Sequence, residues 1–119
     1  MADDRQLSKL YGGPLPVEPS IYCLLERGLK RSPNEPAIIV MHQSPTHLSQ
    51  LTSGTPPSKA DCLIWTFEQL HNAALKMVAG LMANGVRHGE TLMSVIPSGV
   101  EWPIVLWTCA ILKLTLLPF

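Results

Sequence analysis

Thr52 to Lys59 reads TSGTPPSK. Hydroxyls, backbone N–H groups and a lysine this close together could cradle a phosphate. Pro56 and Pro57 count against that use, since each removes an N–H donor, and a Ser/Thr/Pro-rich surface insertion accounts for the stretch without a ligand. The four histidines, His42, His47, His71 and His88, lack ligand-like clustering; His42 and His47 lie five apart with no nearby cysteine, a poor zinc spacing. Cys23, Cys62 and Cys109 are scattered beside apolar residues, which suits buried free thiols in a reducing compartment better than a disulfide framework. Pro97-Ser98-Gly99 forms a turn at the end of a predicted strand, where α/β folds place ligands. Strand stop and helix N-cap explain Pro97 and Ser98, and Ser98 with Glu101 has the spacing of a capping box. There is no nucleophile elbow, paired Cys/His motif or Gly-rich dinucleotide loop. The sequence therefore assigns no catalytic residue, no cofactor-binding residue and no metal ligand.

The elements that would position these residues follow from periodicity and punctuation. Met1 to Val17 reads as a flexible N-terminal arm, with Gly12, Gly13, Pro14 and Pro16 breaking any pattern. A helix is predicted from Ser20 through Arg31, with Ile21, Leu24, Leu25 and Leu29 on one face and basic residues in the last turn. Pro36 to Met41 reads as a buried strand, and residues 42–60 as a loop insertion. Cys62 to Thr66 is a second strand. Thr66 and Gln69 form a capping box opening a helix at Phe67. Its apolar stripe is Phe67, Leu70, Ala73, Ala74, Met77, Val78 and Leu81, and Gly85 caps its end. Thr91 to Ile96 is a strand. A helix then runs through Val105, Leu106, Cys109 and Ile111, with Pro103 in its opening turns, where a missing N–H costs little. Leu114 to Leu117 is the last strand. Strands alternating with helices predict an α/β arrangement with largely parallel strands.

Length and composition bound the function. The 119 residues suit one domain. Charged residues make up 15% and hydrophobic residues 46%, with mean hydropathy +0.18. This is apolar for a small chain and implies faces covered by further chain, by self-association or by a partner. Nine basic and nine acidic residues cancel without blocks of either sign, so no nucleic-acid partner is expected. The start lacks a basic region followed by an apolar run, so a secretory signal is not expected. From Trp102 to Phe119 the one charge is Lys113, but Lys113, Pro103 and Pro118 interrupt a run shorter than the roughly 20 residues that span a bilayer. No membrane span is expected.

Five segments, in order, resemble the opening of the adenylate-forming (AMP-dependent synthetase/ligase) family. LLERGLKRSPNEPAII resembles that family's first helix and its Pro-Ala-hydrophobic strand. WTFEQLHNAALKMVAGLMANGV resembles its Thr-Tyr-x-Glu-Leu entry and the Ala-rich helix ending in Gly-Val. RHGETLMSVIPSGVEW resembles Gly-Asp-x-Val-x-hydrophobic-Pro-Asn-x-x-Glu-Trp, WTCAILK the Ala-x-x-Lys helix end, and LLP the strand beyond it. The resemblance covers Ile21 to Pro118 and implies that residues 18–119 are a truncated N-terminal part of such an enzyme, acyl-CoA synthetase-like. By the same resemblance, the full-length enzyme joins a carboxylic acid to AMP using ATP and Mg²⁺ and passes the acyl group to CoA. TSGTPPSK resembles the family's phosphate loop, but it precedes Phe67 instead of following the residues that resemble Pro118. The Gly that caps the helix near Lys113 in the family is missing, at a cost of about 1 kcal/mol or a rearranged turn. The chain alone is accordingly expected to be inactive and to bind no cofactor. The alternatives are a non-catalytic interaction module or gene remnant, and a fragment of a peptide-synthetase adenylation domain. A cytoplasmic location is implied, or peroxisomal for the full-length family. The predicted core is the Phe67 helix with strands Cys62 to Thr66 and Thr91 to Ile96, leaving Trp102 to Phe119 as an exposed weak segment with a sticky edge at Leu114 to Leu117.

Overall fold

A computed structural model of the chain describes residues 11–14, 20–52 and 60–119. The described elements run in chain order as α1 (Tyr22–Arg31), β1 (Pro36–Val40), a 3₁₀ turn (Ser49–Thr52), β2 (Leu63–Thr66), α2 (Phe67–Ala83), β3 (Thr91–Ser94), α3 (Glu101–Leu112) and β4 (Thr115–Pro118). Helices and strands thus alternate as predicted, in a mixed α/β arrangement. Most of the predicted arm, 1–10 and 15–17, and most of the phosphate-loop-like stretch, 53–59, lie outside the described residues.

The strands are not a largely parallel sheet. β1 pairs with β2 antiparallel, Val40 opposite Leu63, while β3 pairs with β4 parallel, Met93 opposite Leu117. Each pair is a separate two-stranded sheet. The physical reason lies in the connections. Parallel neighbours need a crossover, usually a helix. The chain between β1 and β2 carries only the 3₁₀ turn among its described residues, whereas α3 supplies the crossover from β3 to β4.

α2 forms as its local code predicts. The Thr66 hydroxyl accepts from the Gln69 N–H at 3.2 Å, and the Gln69 carboxamide accepts from the Thr66 N–H at 2.8 Å, so two orphan donors are satisfied reciprocally. Gly85, at φ +90°, ends the helix in a conformation that favours glycine. Ala73 and Ala74 are fully buried and give α2 a smooth face against which α3 packs. At that contact the buried Thr108 hydroxyl donates to the Ile104 carbonyl at 2.7 Å and lies 3.4 Å from the Ala74 carbonyl of α2.

The core joins Leu25, Val40, Leu63, Trp65, Leu70, Ala73, Val100 and Ile104. Its composition corrects two expectations. β3 contributes little: Met93 is 62% exposed, and only Ser94 of the strand is buried. The Trp102 to Phe119 segment divides. α3 buries Ile104, Val105, Thr108, Cys109 and Leu112, while Leu117 and Phe119 stay exposed. The predicted apolar face of α1 is also largely uncovered, with Leu25 buried but Ile21 and Leu24 about half exposed. Met93, Val95, Leu117 and Phe119 extend along one side of the β3–β4 pair, the kind of face a parallel sheet normally keeps covered.

α3 ends on Lys113, which adopts the left-handed conformation at φ 55°, ψ 43°, where the family resemblance led to an expectation of glycine. The cap forms all the same. The Lys113 N–H donates to the Cys109 carbonyl, the Leu114 N–H donates to it at 2.9 Å, and the Lys113 carbonyl accepts from Gly89 at 3.1 Å.

Candidate functional site

A gathering of polar side chains lies where β3 leads into α3, the end of a parallel strand at which α/β folds place ligands. Neither Ser98 nor Glu101 behaves as a capping pair there. α3 begins at Glu101, its N-cap is Val100 in helical geometry, and no side chain of the flanking turn caps it. The predicted Ser98–Glu101 capping box is therefore absent, because Glu101 is itself the first helical residue and its carboxylate is engaged elsewhere. Gln43, from the loop after β1, does the capping from a distance. Its Oε1 accepts from the Val100 N–H at 2.9 Å, and its Nε2 donates to Glu101 Oε2 at 2.9 Å. His47 Nε2 pairs with the other carboxylate oxygen, Oε1, and His42 Nε2 donates to the Ser98 carbonyl at 2.9 Å.

The segment 42–52 is therefore not a free surface insertion. It crosses the start of α3 as a strap held by three side chains, and Lys76 of α2 fastens its far end by donating to the Gln50 carbonyl at 3.0 Å. Thr52 is buried, with its hydroxyl donating to the Ser49 carbonyl at 2.8 Å. Sequence reasoning missed Gln43 altogether. Its partners stand 57 and 58 residues away, and no local spacing announces them.

Burial alone would raise the Glu101 carboxyl. The hydrogen bonds from Gln43 and His47, one from its own backbone N–H and the charge of His47 outweigh burial and hold it below the ordinary value of 4.5. Glu101 is an acceptor with both oxygens occupied. The arrangement does not fit a phosphate, since an anion at this helix start would meet a carboxylate and find the Val100 N–H already bonded. The Pro97-Ser98-Gly99 turn thus serves as a structural corner.

The other two histidines have structural partners as well. The Tyr22 hydroxyl bonds His71 Nε2 at 2.8 Å, the two rings stacking at 6.2 Å, and His88 Nδ1 donates to the Leu112 carbonyl at 2.7 Å. Cys62 and Cys109 are buried free thiols, and burial pushes the Cys109 thiol up. Among the described residues no three His, Cys, Asp or Glu side chains gather to hold a metal. No helix of the described residues is long and apolar enough to cross a membrane.

Beneath the strap is an open cavity of about 230 Å³, lined by Leu48 and Leu51 of the strap, Met77 of α2, Ile96 after β3, and Glu101, Ile104 and Val105 of α3.

No family profile matches the chain, and no solved structure matches it. An acyl-CoA ligase of Pestalotiopsis microspora is 35% identical over 115 residues, covering 91% of this chain and 20% of the ligase. The chain thus spans about a fifth of the length of the curated relative it matches. A likeness across nearly the whole of one partner and a small part of the other makes this chain similar to a fragment of an acyl-CoA ligase.

Proposed function

We propose that the chain is the N-terminal scaffold part of an adenylate-forming, acyl-CoA ligase-like protein and carries no adenylation activity by itself. When whole, such a protein activates a carboxylic acid with ATP as acyl-AMP and passes the acyl group to the thiol of CoA. The observation that carries the reading is the 35% identity over 115 residues, in line with five segments that resemble the family in its order. The chemistry requires cations and backbone donors aimed at phosphates and at developing charge. The polar side chains at the start of α3 are instead spent on one another, with the Val100 N–H occupied by Gln43 and flanked by Glu101. No step of the reaction is assigned to this chain.

A chimera tests the proposal. Residues 20–119 replace the matching segment of the Pestalotiopsis ligase, and acid-dependent exchange of labelled pyrophosphate into ATP is measured alongside the isolated chain. The proposal expects a soluble chimera that retains exchange and an isolated chain that shows none. A folded chimera without activity, or exchange catalysed by the chain alone, would overturn it.

A second reading, a non-catalytic interaction module, rests on the exposed row Met93, Val95, Leu117 and Phe119. Under that reading the same chimera misfolds, because these residues face a partner other than the ligase's own chain.

A further inference from the structure

The cavity under the strap is unusual in what its walls lack. Seven residues line it, and six of them are hydrophobic: Leu48, Leu51, Met77, Ile96, Ile104 and Val105. The seventh is Glu101, whose carboxylate is turned to Gln43 and His47, so the wall it offers is hydrocarbon. The hollow is open to solvent on one side, but its lining exposes no polar atom that could hold a water in place, and a concave apolar lining of this kind favours a small apolar molecule. A volume of about 230 Å³ exceeds the roughly 150 Å³ that accommodates benzene. It therefore suits a substituted single ring or a short branched alkyl group.

Two further observations concern the strap that forms the roof. Leu48 stands at φ 53°, a left-handed conformation that bulky residues rarely adopt and that persists only where its surroundings hold it. It is held here by fastenings on both sides: Gln43 and His47 on α3 before it and around it, and Gln50 on Lys76 after it. The strained residue is also one of the two that the strap turns into the cavity. Glu101, the one ionisable group in the lining, is already partnered by Gln43 and His47, which leaves a charged ligand without a counterpart there.

We propose that the space between the strap and helices α2 and α3 is a binding site for a small uncharged apolar molecule, of the size of a substituted aromatic ring. The site is independent of the ligase-like reading, since it uses no nucleotide and no acid group.

Titration of the full 119-residue chain, labelled with ¹³C at its Leu, Ile, Val and Met methyls, tests this. The probes are indole, uncharged and of the right size, and benzoate as its charged counterpart. Indole is expected to give saturable shifts confined to Leu48, Leu51, Met77, Ile96, Ile104 and Val105, with benzoate leaving the same methyls unmoved. Leu51→Phe, which fills the space from the strap, should weaken indole binding at least tenfold. Met77→Phe should do the same from α2, so a misfolded first variant leaves a second measurement. Three results each overturn the site: no saturable shifts in the unsubstituted chain, shifts scattered over the β3–β4 face, or indole affinity unchanged in both filled variants.

Discussion

Lys113 occupies a backbone conformation that its β-carbon disfavours, which makes Lys113→Gly the most direct test of how α3 ends. At φ 55° and ψ 43°, an L-residue brings its β-carbon close to the following carbonyl, at about 1–2 kcal/mol, and glycine has no such contact. Glycine also loses more backbone entropy on folding, which subtracts part of that gain. The Lys113 side chain is exposed and makes no hydrogen bond or ion pair among the described residues, so its removal should cost little. The net expectation is a stabilisation of about 1 kcal/mol. For a chain of 119 residues that is about 4 °C in melting temperature, read by circular dichroism with urea melts as a second measure. Lys113→Ala keeps the β-carbon and is expected to stay within about 0.5 kcal/mol of the starting chain, as surface changes usually do. Hydrogen exchange gives a local readout. The Leu114 N–H, bonded to the Cys109 carbonyl at 2.9 Å, should exchange roughly fivefold more slowly in the glycine variant. If Lys113→Gly proves no more stable than Lys113→Ala, the left-handed cap is not where the cost lies, and the reasoning fails.

Glu101 contributes stability that is present above its ordinary carboxyl value of 4.5 and lost as pH falls through its lowered folded value. Glu101→Gln should therefore flatten the acid limb of the stability–pH profile, and an unchanged limb would refute the role given to the strap contacts. Gln43→Ala removes the acceptor for the Val100 N–H and one donor to Glu101. It should cost about 1–2 kcal/mol, with faster hydrogen exchange at the start of α3 and throughout 44–52. A β-carbon added at Gly28 would lie 2.5 Å from the Phe67 ring, so Gly28→Ala should destabilise the α1–α2 contact by about 1–3 kcal/mol, checked by urea melts. With Cys62 and Cys109 buried and Cys23 partly exposed, Cys23 should react first with a thiol reagent under native conditions.

What the sequence made legible was local. The Thr66–Gln69 box, the Gly85 cap and the α2 stripe each depend on residues within one or two turns of one another, and all three stand in the structure. Element order was legible for the same reason. Strand partners were not, because a short apolar run does not state which edge it joins. The connection between β1 and β2 held the needed sign, a stretch without helical periodicity, but reading it as an insertion hid its consequence for strand direction. The start of α3 misled in a different way. Ser98 and Glu101 have capping spacing, yet the helix begins three residues later than Ser98, and Gln43 outcompetes the local pair. A cap supplied from 57 residues away leaves no trace in a local window.

That substitution of a distant residue for a local one bears on what the chain can do. A helix start with free N–H groups at the end of a strand is a ready anion site. This chain closes it twice, by bonding the Val100 N–H to Gln43 and by placing Glu101 in the first turn. The histidines follow the same logic: His42, His47, His71 and His88 each tie one segment to another. Polar side chains committed to such ties hold tertiary structure, but they are not at liberty to move protons or clamp phosphates without loosening it. Apolar surface is left open on the β3–β4 face and under the strap. Recognition under the strap and on the β3–β4 face therefore rests on hydrophobic contact and shape, with Glu101, the one ionisable group in the cavity lining, already bonded to Gln43 and His47.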